Sequence, residues 1–336
     1  MRRLSHSASA RRRTTAAPAP TVRAVLARSA RRLARARLHF GHGSDNARDE
    51  AAALIWHVLR LPVKAGASSY NRRVSRRALR AIDALLARRI RERIPAVYLT
   101  HRCWFAGLSM YVDERVLIPR SPIAELIEQR FAPWIAAARV RRILDVGTGS
   151  GCIAIACARA FPTSRVDALD LSSDALAVAR RNIRRHRLQH RVHGVQSDHF
   201  AALRGARYDI IVSNPPYVGR HELRNLPREY RHEPQLALAA GADGLDSVRI
   251  IMRDAAAHLR PGGILVVEVG NSERALRRAF PRLPFIWLTF DRGGGGVFVL
   301  QREQLPPATA RLAAAAPDGG ATDRWKATGR RCRATR

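Results

Sequence analysis

The stretch ILDVGTGSGCIAIA, residues 143–156, decides the reading of this chain. An apolar run carrying Asp145 gives way to three glycines at alternate positions, and then to a small-residue segment of helical character. Gly147, Gly149 and Gly151 free the backbone to turn tightly and to approach a ligand that any Cβ would obstruct, and the start of the following helix offers unpaired N–H groups. Strand, glycine turn and helix in that order make a cofactor loop, with Thr148 and Ser150 between the glycines. The dinucleotide pattern G-x-G-x-x-G would want a third glycine at position 152; here it comes one position early and Cys152 stands there instead. The next strand candidate, RVDALD, ends in Asp170, whose carboxylate can accept both hydroxyl protons of a ribose, whichever nucleoside is bound.

Working outward from this loop, seven strand candidates follow residue 140: RRILDV, RVDALD, RVHGVQ, YDIIVS, GILVVEV, FIWLTF and GVFVLQ. Helical stretches such as SSDALAVARRNIRRH and DSVRIIMRDAAAHLR separate the earlier ones, so right-handed crossovers build a mostly parallel, doubly wound sheet. DRGGGG between the last two is too short for a crossover, which predicts an antiparallel pair there. The third strand leads into VQSDHF, which brings Asp198 and His199 to the same sheet edge.

Upstream, SDNARDEAAALIWHVLRLP from Ser44 places Leu54, Ile55, Val58 and Leu59 on one helical stripe. SRRALRAIDALLARRIRERIP repeats the pattern with Leu79, Ile82, Leu85, Leu86 and Ile90. A small helical domain over 44–100 is expected, then a β-hairpin linker over 101–120 that turns at Gly107, then a helix capped by Ser121 with Pro122 in its first turn. The α/β domain runs over 121–303.

The formal net charge is +33, of which residues 1–44 contribute +11 and residues 306–336 contribute +5. Lys64 and Lys326 are the only lysines among the 60 basic residues, a bias that coding composition produces as readily as binding does. Segments 1–43 and 304–336, rich in Ala, Arg and Pro, read as disordered basic tails whose charge attracts phosphate nonspecifically. The acid-free, Ser- and Arg-rich start also resembles an organellar transit peptide; a solvated bacterial extension is the alternative. The four cysteines show neither paired spacing nor a His ladder, so no metal site and no disulfide framework are expected. No apolar run approaches the roughly 20 residues that cross a bilayer. The expectation is a cytoplasmic protein with no membrane partner.

The fourth strand, YDIIVS, runs into SNPPYV at residues 213–218. Two prolines remove two donors and fix two φ angles, so the segment is a rigid loop at the sheet edge and a candidate for chemistry.

The G-x-G-x-G loop behind Asp145, with seven strands, resembles class I S-adenosylmethionine-dependent methyltransferases, whose seven-stranded, Rossmann-like sheet has one reversed strand. That resemblance implies that Asp145 and residues 147–151 hold the methionine end of the cofactor and Asp170 its ribose, with Asp198 and His199 bordering adenine. The Asn-Pro-Pro-Tyr loop resembles that of amino-methyltransferases acting on planar nitrogens. By that likeness the Asn214 side-chain oxygen and the Pro215 carbonyl accept the two N–H protons of the acceptor, Pro216 stiffens the loop and Tyr217 packs on the planar group.

Longer stretches narrow the likeness. RIPAVYLTHRCWFAGLSMYVDERVLIPRSPIAELI, NPPYV and LPREYRHEPQLALAAGADGLDSVR are similar to the N(5)-glutamine methyltransferase family over about residues 40–302. IPRSPIAELI and EYRHEPQLALAAG are similar to the branch acting on large-subunit ribosomal protein three. The resemblance implies methylation of a glutamine amide on that protein, and because such a substrate is itself basic, it also implies acids on the docking face or contact of the basic tails with ribosomal RNA. A release-factor glutamine methyltransferase and an adenine-N6 nucleic-acid methyltransferase are the alternatives. Arg120 is a candidate contact for substrate backbone or an acidic neighbour, or one half of a structural ion pair.

Overall fold

The computed structural model describes residues 18–62 and 66–306. The basic segments 1–17 and 307–336 lie outside the described residues, and with them most of the expected tails.

Five helices build the N-terminal part: α1 Val22–Arg35, α2 Ala47–Leu59, α3 Ala67–Asn71, α4 Arg76–Glu92 and α5 Ala96–Thr100. Helix α1 corrects the expectation of a disordered tail over residues 1–43. Val22, Val25, Leu26, Ser29 and Leu33 are buried and recur at helical spacing, while the arginines occupy the rest of the surface. Thr21 caps the helix by accepting from the Ala24 N–H, and Pro20 and Val22 pair with Arg72 and Val74 through backbone hydrogen bonds. The stripe packs against Leu54 and Ile55 of α2 and Ile82 and Leu86 of α4 in one core. Arginine-rich composition had masked that apolar stripe.

Strands β1 Cys103–Phe105 and β2 Leu108–Met110 form an antiparallel hairpin with Gly107 in its turn at φ +72°. Helix α6, Ile123–Glu128, follows. The remaining elements are β3 Arg142–Val146, α7 Cys152–Ala160, β4 Arg165–Asp170, α8 Ser173–Arg185, β5 Val192–Gln196, β6 Tyr208–Ser213, α9 Arg220–Asn225, α10 Asp246–His258, β7 Leu259–Glu268, α11 Glu273–Ala279, β8 Ile286–Trp287 and β9 Val297–Gln301. All seven strands from β3 to β9 lie in one sheet of order β5-β4-β3-β6-β7-β9-β8. The first five are parallel; β9 is antiparallel to both neighbours and is the reversed strand.

Side chains alternate across the sheet, as period-two strands require. Ile143, Val166, Ile210, Val212 and Val266 pack toward α6 and α7. Leu144, Leu169, Ile211, Leu265 and Val267 pack toward α10 and α11. The result is a class I methyltransferase-type, doubly wound α/β architecture. Leu305 is buried in the second of these layers, so the packed chain passes the boundary expected at residue 303. Among the described residues no helix is long and apolar enough to cross a membrane.

Parallel pairing brings every strand's carboxyl end to one edge. Val146 stands opposite Leu169 and Ser213, Asp170 opposite Gln196, and Ser213 opposite Val267. The loops after β3, β4, β5, β6 and β7 therefore converge, the arrangement in which open α/β sheets bind ligands.

Candidate active site

A cleft opens at that edge. Its lining includes Val146–Ser150, Leu169–Ser172, Ser197–His199, Asn214–Pro216, the linker from Arg115 to Ser121, and Pro234, Leu236, Ala237 and Ala239.

The glycine loop leaves β3 with Gly147, Gly149 and Gly151 at φ +75°, +54° and +80°. A Cβ on Gly147 or Gly149 would meet nothing within 4 Å, so these two keep the backbone itself at the cleft surface. Gly151 does a different job. A Cβ there would come within 3.2 Å of Ala179 on α8, so this glycine serves packing behind the loop, not the cleft.

Asp145 lies beneath the loop, fully buried, and does not line the cleft. Its Oδ2 accepts the Thr148 hydroxyl at 2.6 Å and the Ala154 N–H at 3.1 Å, tying loop and helix to the strand. Its Oδ1 has no hydrogen-bond partner in the protein. Burial pushes the carboxyl up to about 7, against the opposing pull of those two donors. Asp170 sits at the tip of β4: Oδ2 accepts the Gly149 N–H at 2.8 Å and Oδ1 the Ser172 N–H at 2.9 Å. Each carboxylate oxygen keeps a lone pair for a ligand hydroxyl. Beyond it, the exposed Asp198 pairs with His199, Oδ1 to Nδ1 at 2.6 Å, with His199 at φ +47°.

On the neighbouring strand, Asn214 leaves β6 half-buried, and its Oδ1 is buried with no partner in the protein. Ser213 anchors the turn by donating to the Val146 carbonyl at 2.6 Å. Pro215 and Pro216 line the cleft beside Asn214, whereas Tyr217 lies in an adjacent depression with Arg120 and Glu268. Two backbone hydrogen bonds, Val218 N–H to the Leu238 carbonyl and Ala240 N–H to the Val218 carbonyl, join the loop to the 235–240 segment. An unsatisfied buried amide oxygen costs free energy, about 1–3 kcal/mol, unless a ligand donor meets it. The pairing of a stiff, donor-poor loop with that oxygen suits a ligand bearing N–H groups.

The methyltransferase small domain family matches residues 129–228. The "Ribosomal protein uL3 glutamine methyltransferase" of Neisseria meningitidis serogroup B (strain ATCC BAA-335 / MC58) is 47% identical over 286 residues, spanning 85% of this chain and 94% of that one. The protein of the same name from serogroup A / serotype 4A (strain DSM 15465 / Z2491) is equally similar, 47% over 286 residues. The chain belongs to the ribosomal protein uL3 glutamine methyltransferase family. Among solved structures, the hMettl16 catalytic domain in complex with MAT2A 3'UTR hairpin 6 aligns at TM-score 0.47 and 19% identity over 58% of this chain and 75% of that one.

In this uL3 glutamine methyltransferase family member, the structure places the sequence candidate Arg120 in an ion pair and adds buried partners that sequence reasoning did not single out. Arg120 is an ion pair with Glu233, which holds the segment 228–239 against the linker. Arg89 of α4, fully buried, pairs with Glu50 of α2 and with Glu229 at 3.1 Å, and donates to the His39 carbonyl at 2.8 Å. The helical domain thus grips the same segment. His42 is buried beside Glu233, and burial together with the Arg120 charge lowers its imidazole to about 3, so it is neutral. The EYRHEP wording was the available signal: two acids four positions apart in an otherwise Arg-dominated chain.

Proposed function

We propose that this chain transfers a methyl group from S-adenosylmethionine to the side-chain amide nitrogen of a glutamine on ribosomal protein uL3. The observation that carries the chemistry is the unpartnered Asn214 Oδ1, held by a rigid Pro-Pro loop that leaves the strand next to that of the glycine loop and lines the same cleft. The names of the two Neisseria relatives supply the acceptor.

The residues present fit the cofactor. Gly147 and Gly149 leave the backbone open at the cleft, and Asp170 at the tip of β4 lines the same cleft with carboxylate lone pairs to spare for a diol. In this reading Asp145 acts through the loop it shapes, residues 147–151 receive the methionine end, Asp170 takes the ribose, and Asp198 and His199 border adenine. When bound, the cofactor supplies an electrophilic methyl group on a sulfonium.

The acceptor nitrogen is a poor nucleophile because its lone pair is delocalised; the barrier to amide rotation, about 18–20 kcal/mol, measures how firmly it is held. Two hydrogen bonds worth about 0.5–1.5 kcal/mol each do not overcome that. Alignment can contribute about 7–11 kcal/mol, so positioning dominates. Asn214 Oδ1 and the Pro215 carbonyl accept the two N–H protons and turn the remaining face of the nitrogen toward the methyl group, while Tyr217, expected to pack on the planar amide, lies in the adjacent depression and holds the loop from there. Transfer would first give an N-methylated amide cation that keeps both N–H protons; that cation is strongly acidic, so one proton leaves afterwards to give the neutral product and no general base is required first.

The decisive experiment offers radiolabelled S-adenosylmethionine with uL3, a release factor and duplex DNA in parallel and maps the modified atom. Label on a uL3 glutamine is expected. Label confined to the release factor or to DNA would overturn the acceptor assignment.

A further inference from the structure

Strand β7 runs out into EVGNS, residues 268–272, a segment with no part in the chemistry described so far. Its alternate residues all meet Tyr217. Glu268 Oε1 accepts the Tyr217 hydroxyl at 3.0 Å. Gly270 lies against the ring: a Cβ there would come within 2.6 Å of Cε2 and 2.9 Å of Cζ. Ser272 Oγ donates to the Tyr217 carbonyl at 2.7 Å. The same carbonyl is also crowded by Gly244, where a Cβ would stand 2.3 Å from it and 2.2 Å from Ser272 Oγ. Hydroxyl, ring and main chain of one residue are therefore each fixed by a separate contact.

The second Glu268 oxygen is also in use. Oε2 accepts the Ser121 hydroxyl, and Ser121 Oγ in turn accepts the Ile123 N–H at 3.2 Å at the start of α6. One carboxylate thus bridges the tyrosine of the Pro-Pro loop and the linker that carries Arg120. Glu268 is only 5% exposed. Burial pushes its carboxyl up, while the two hydroxyl donors and the Arg120 guanidinium pull the other way. A well-packed apolar residue would serve stability as well as this buried acid does, so its presence calls for another reason.

That reason lies in the neighbouring strand. Ser213 on β6 pairs with Val267 on β7, which places Asn214 beside Glu268 at the sheet edge. Between Asn214 and Tyr217 stand two prolines whose φ angles are fixed, so the stretch behaves as a short rod. Where Tyr217 is held, Asn214 is held.

We propose that Glu268 is a positioning residue for methyl transfer: by gripping the Tyr217 hydroxyl, it fixes the Pro-Pro rod and so the line along which Asn214 presents the acceptor nitrogen. This rests on the assignment of glutamine methylation above. Glu268 contacts neither the acceptor nor the cofactor loop. A displacement of about 1 Å in such a constellation costs about a hundredfold in rate.

The test uses the full chain with labelled S-adenosylmethionine and uL3, comparing E268A, E268Q, Y217F and the E268A/Y217F double variant. For each, kcat, the acceptor KM and the cofactor Kd by titration calorimetry are measured. E268A and Y217F are each expected to lower kcat by about a hundredfold with the cofactor Kd unchanged. The double variant is expected to be no worse than the poorer single, because both remove one linkage. E268Q keeps the shape and one acceptor oxygen, and should recover part of the rate. Wild-type kcat for E268A, a parallel loss of cofactor affinity, or multiplicative effects in the double variant would each overturn the proposal. Should E268A fail to fold, E268Q and Y217F carry the same comparison. Wild-type turnover, read first, tests the acceptor separately: if another acceptor takes the label, the same ratios are read on that one.

Discussion

Arg120 closes a two-bond fork on Glu233, Nη1 to Oε1 at 2.6 Å and Nη2 to Oε2 at 2.8 Å, joining the IPRSP linker to the EYRHEP segment across one wall of the cleft. Glu233 also accepts the Ile118 N–H at 3.0 Å, and its side chain is fully buried. Removing the guanidinium strands that carboxylate. R120A should therefore lose about 3–5 kcal/mol in chemical denaturation. R120K should recover little of it, since an ammonium cannot fork onto both oxygens. Native stability in R120A with a raised acceptor KM would instead mark Arg120 as a direct substrate contact.

Arg89 poses a related test at the junction with the helical domain. Its guanidinium is buried between Glu50 and Glu229, and Glu229 Oε1 also accepts the His39 N–H at 3.1 Å. R89M leaves two buried acids facing one another, a loss of about 3–5 kcal/mol by denaturant titration. The triple replacement R89M/E50L/E229L should lose much less, because no fully buried charge is then left stranded; Arg93, which also pairs with Glu229, is partly exposed and keeps the Arg37 carbonyl. A triple variant as unstable as R89M would show that packing, not charge, is what the network supplies.

The core of this architecture was legible because its signals are periodic. Alternating strands, crossover helices and a glycine turn each obey a local rule, and the sheet follows from their order. Asp170 and Asn214 were legible because each ends a strand on the edge where such folds bind ligands. The buried partners were not. Arg89 is one arginine among nearly sixty, and no composition rule separates the one that turns inward. Glu268 reads as the polar exit of an apolar strand, and its two hydroxyl partners lie 51 and 147 residues away. Helix α1 went unread for the opposite reason, because its arginines outvoted a five-residue stripe.

Asp145 carries a pH prediction. Burial raises its carboxyl from the ordinary 3.8 to about 7. The folded state thus holds the proton more tightly than the unfolded chain, so the group's contribution to stability is complete below the ordinary value and is lost as pH rises through about 7. Comparing melting temperatures of the unliganded wild type and D145N isolates this effect. The wild type should lose ground to D145N steadily between about pH 4 and pH 7, then run parallel to it. Parallel melting curves over the whole range would show that Asp145 ionises normally.

Asn214 is the most direct probe of the chemistry, because its oxygen is already buried without a partner. N214A removes an orphan acceptor, so the unliganded protein should lose little stability or even gain some. What disappears is the group that orients the acceptor nitrogen, and turnover should fall by about a hundredfold or more. Cofactor affinity should stay the same, since Asp170 and the glycine loop are untouched. N214D keeps an oxygen acceptor at the same place and should fall between the two, although a charge there must be desolvated when the cleft closes over substrate. Steady-state kinetics with calorimetric cofactor titration separates these outcomes. Equal turnover in N214A and wild type would remove Asn214 from the mechanism, whatever binds in the cleft.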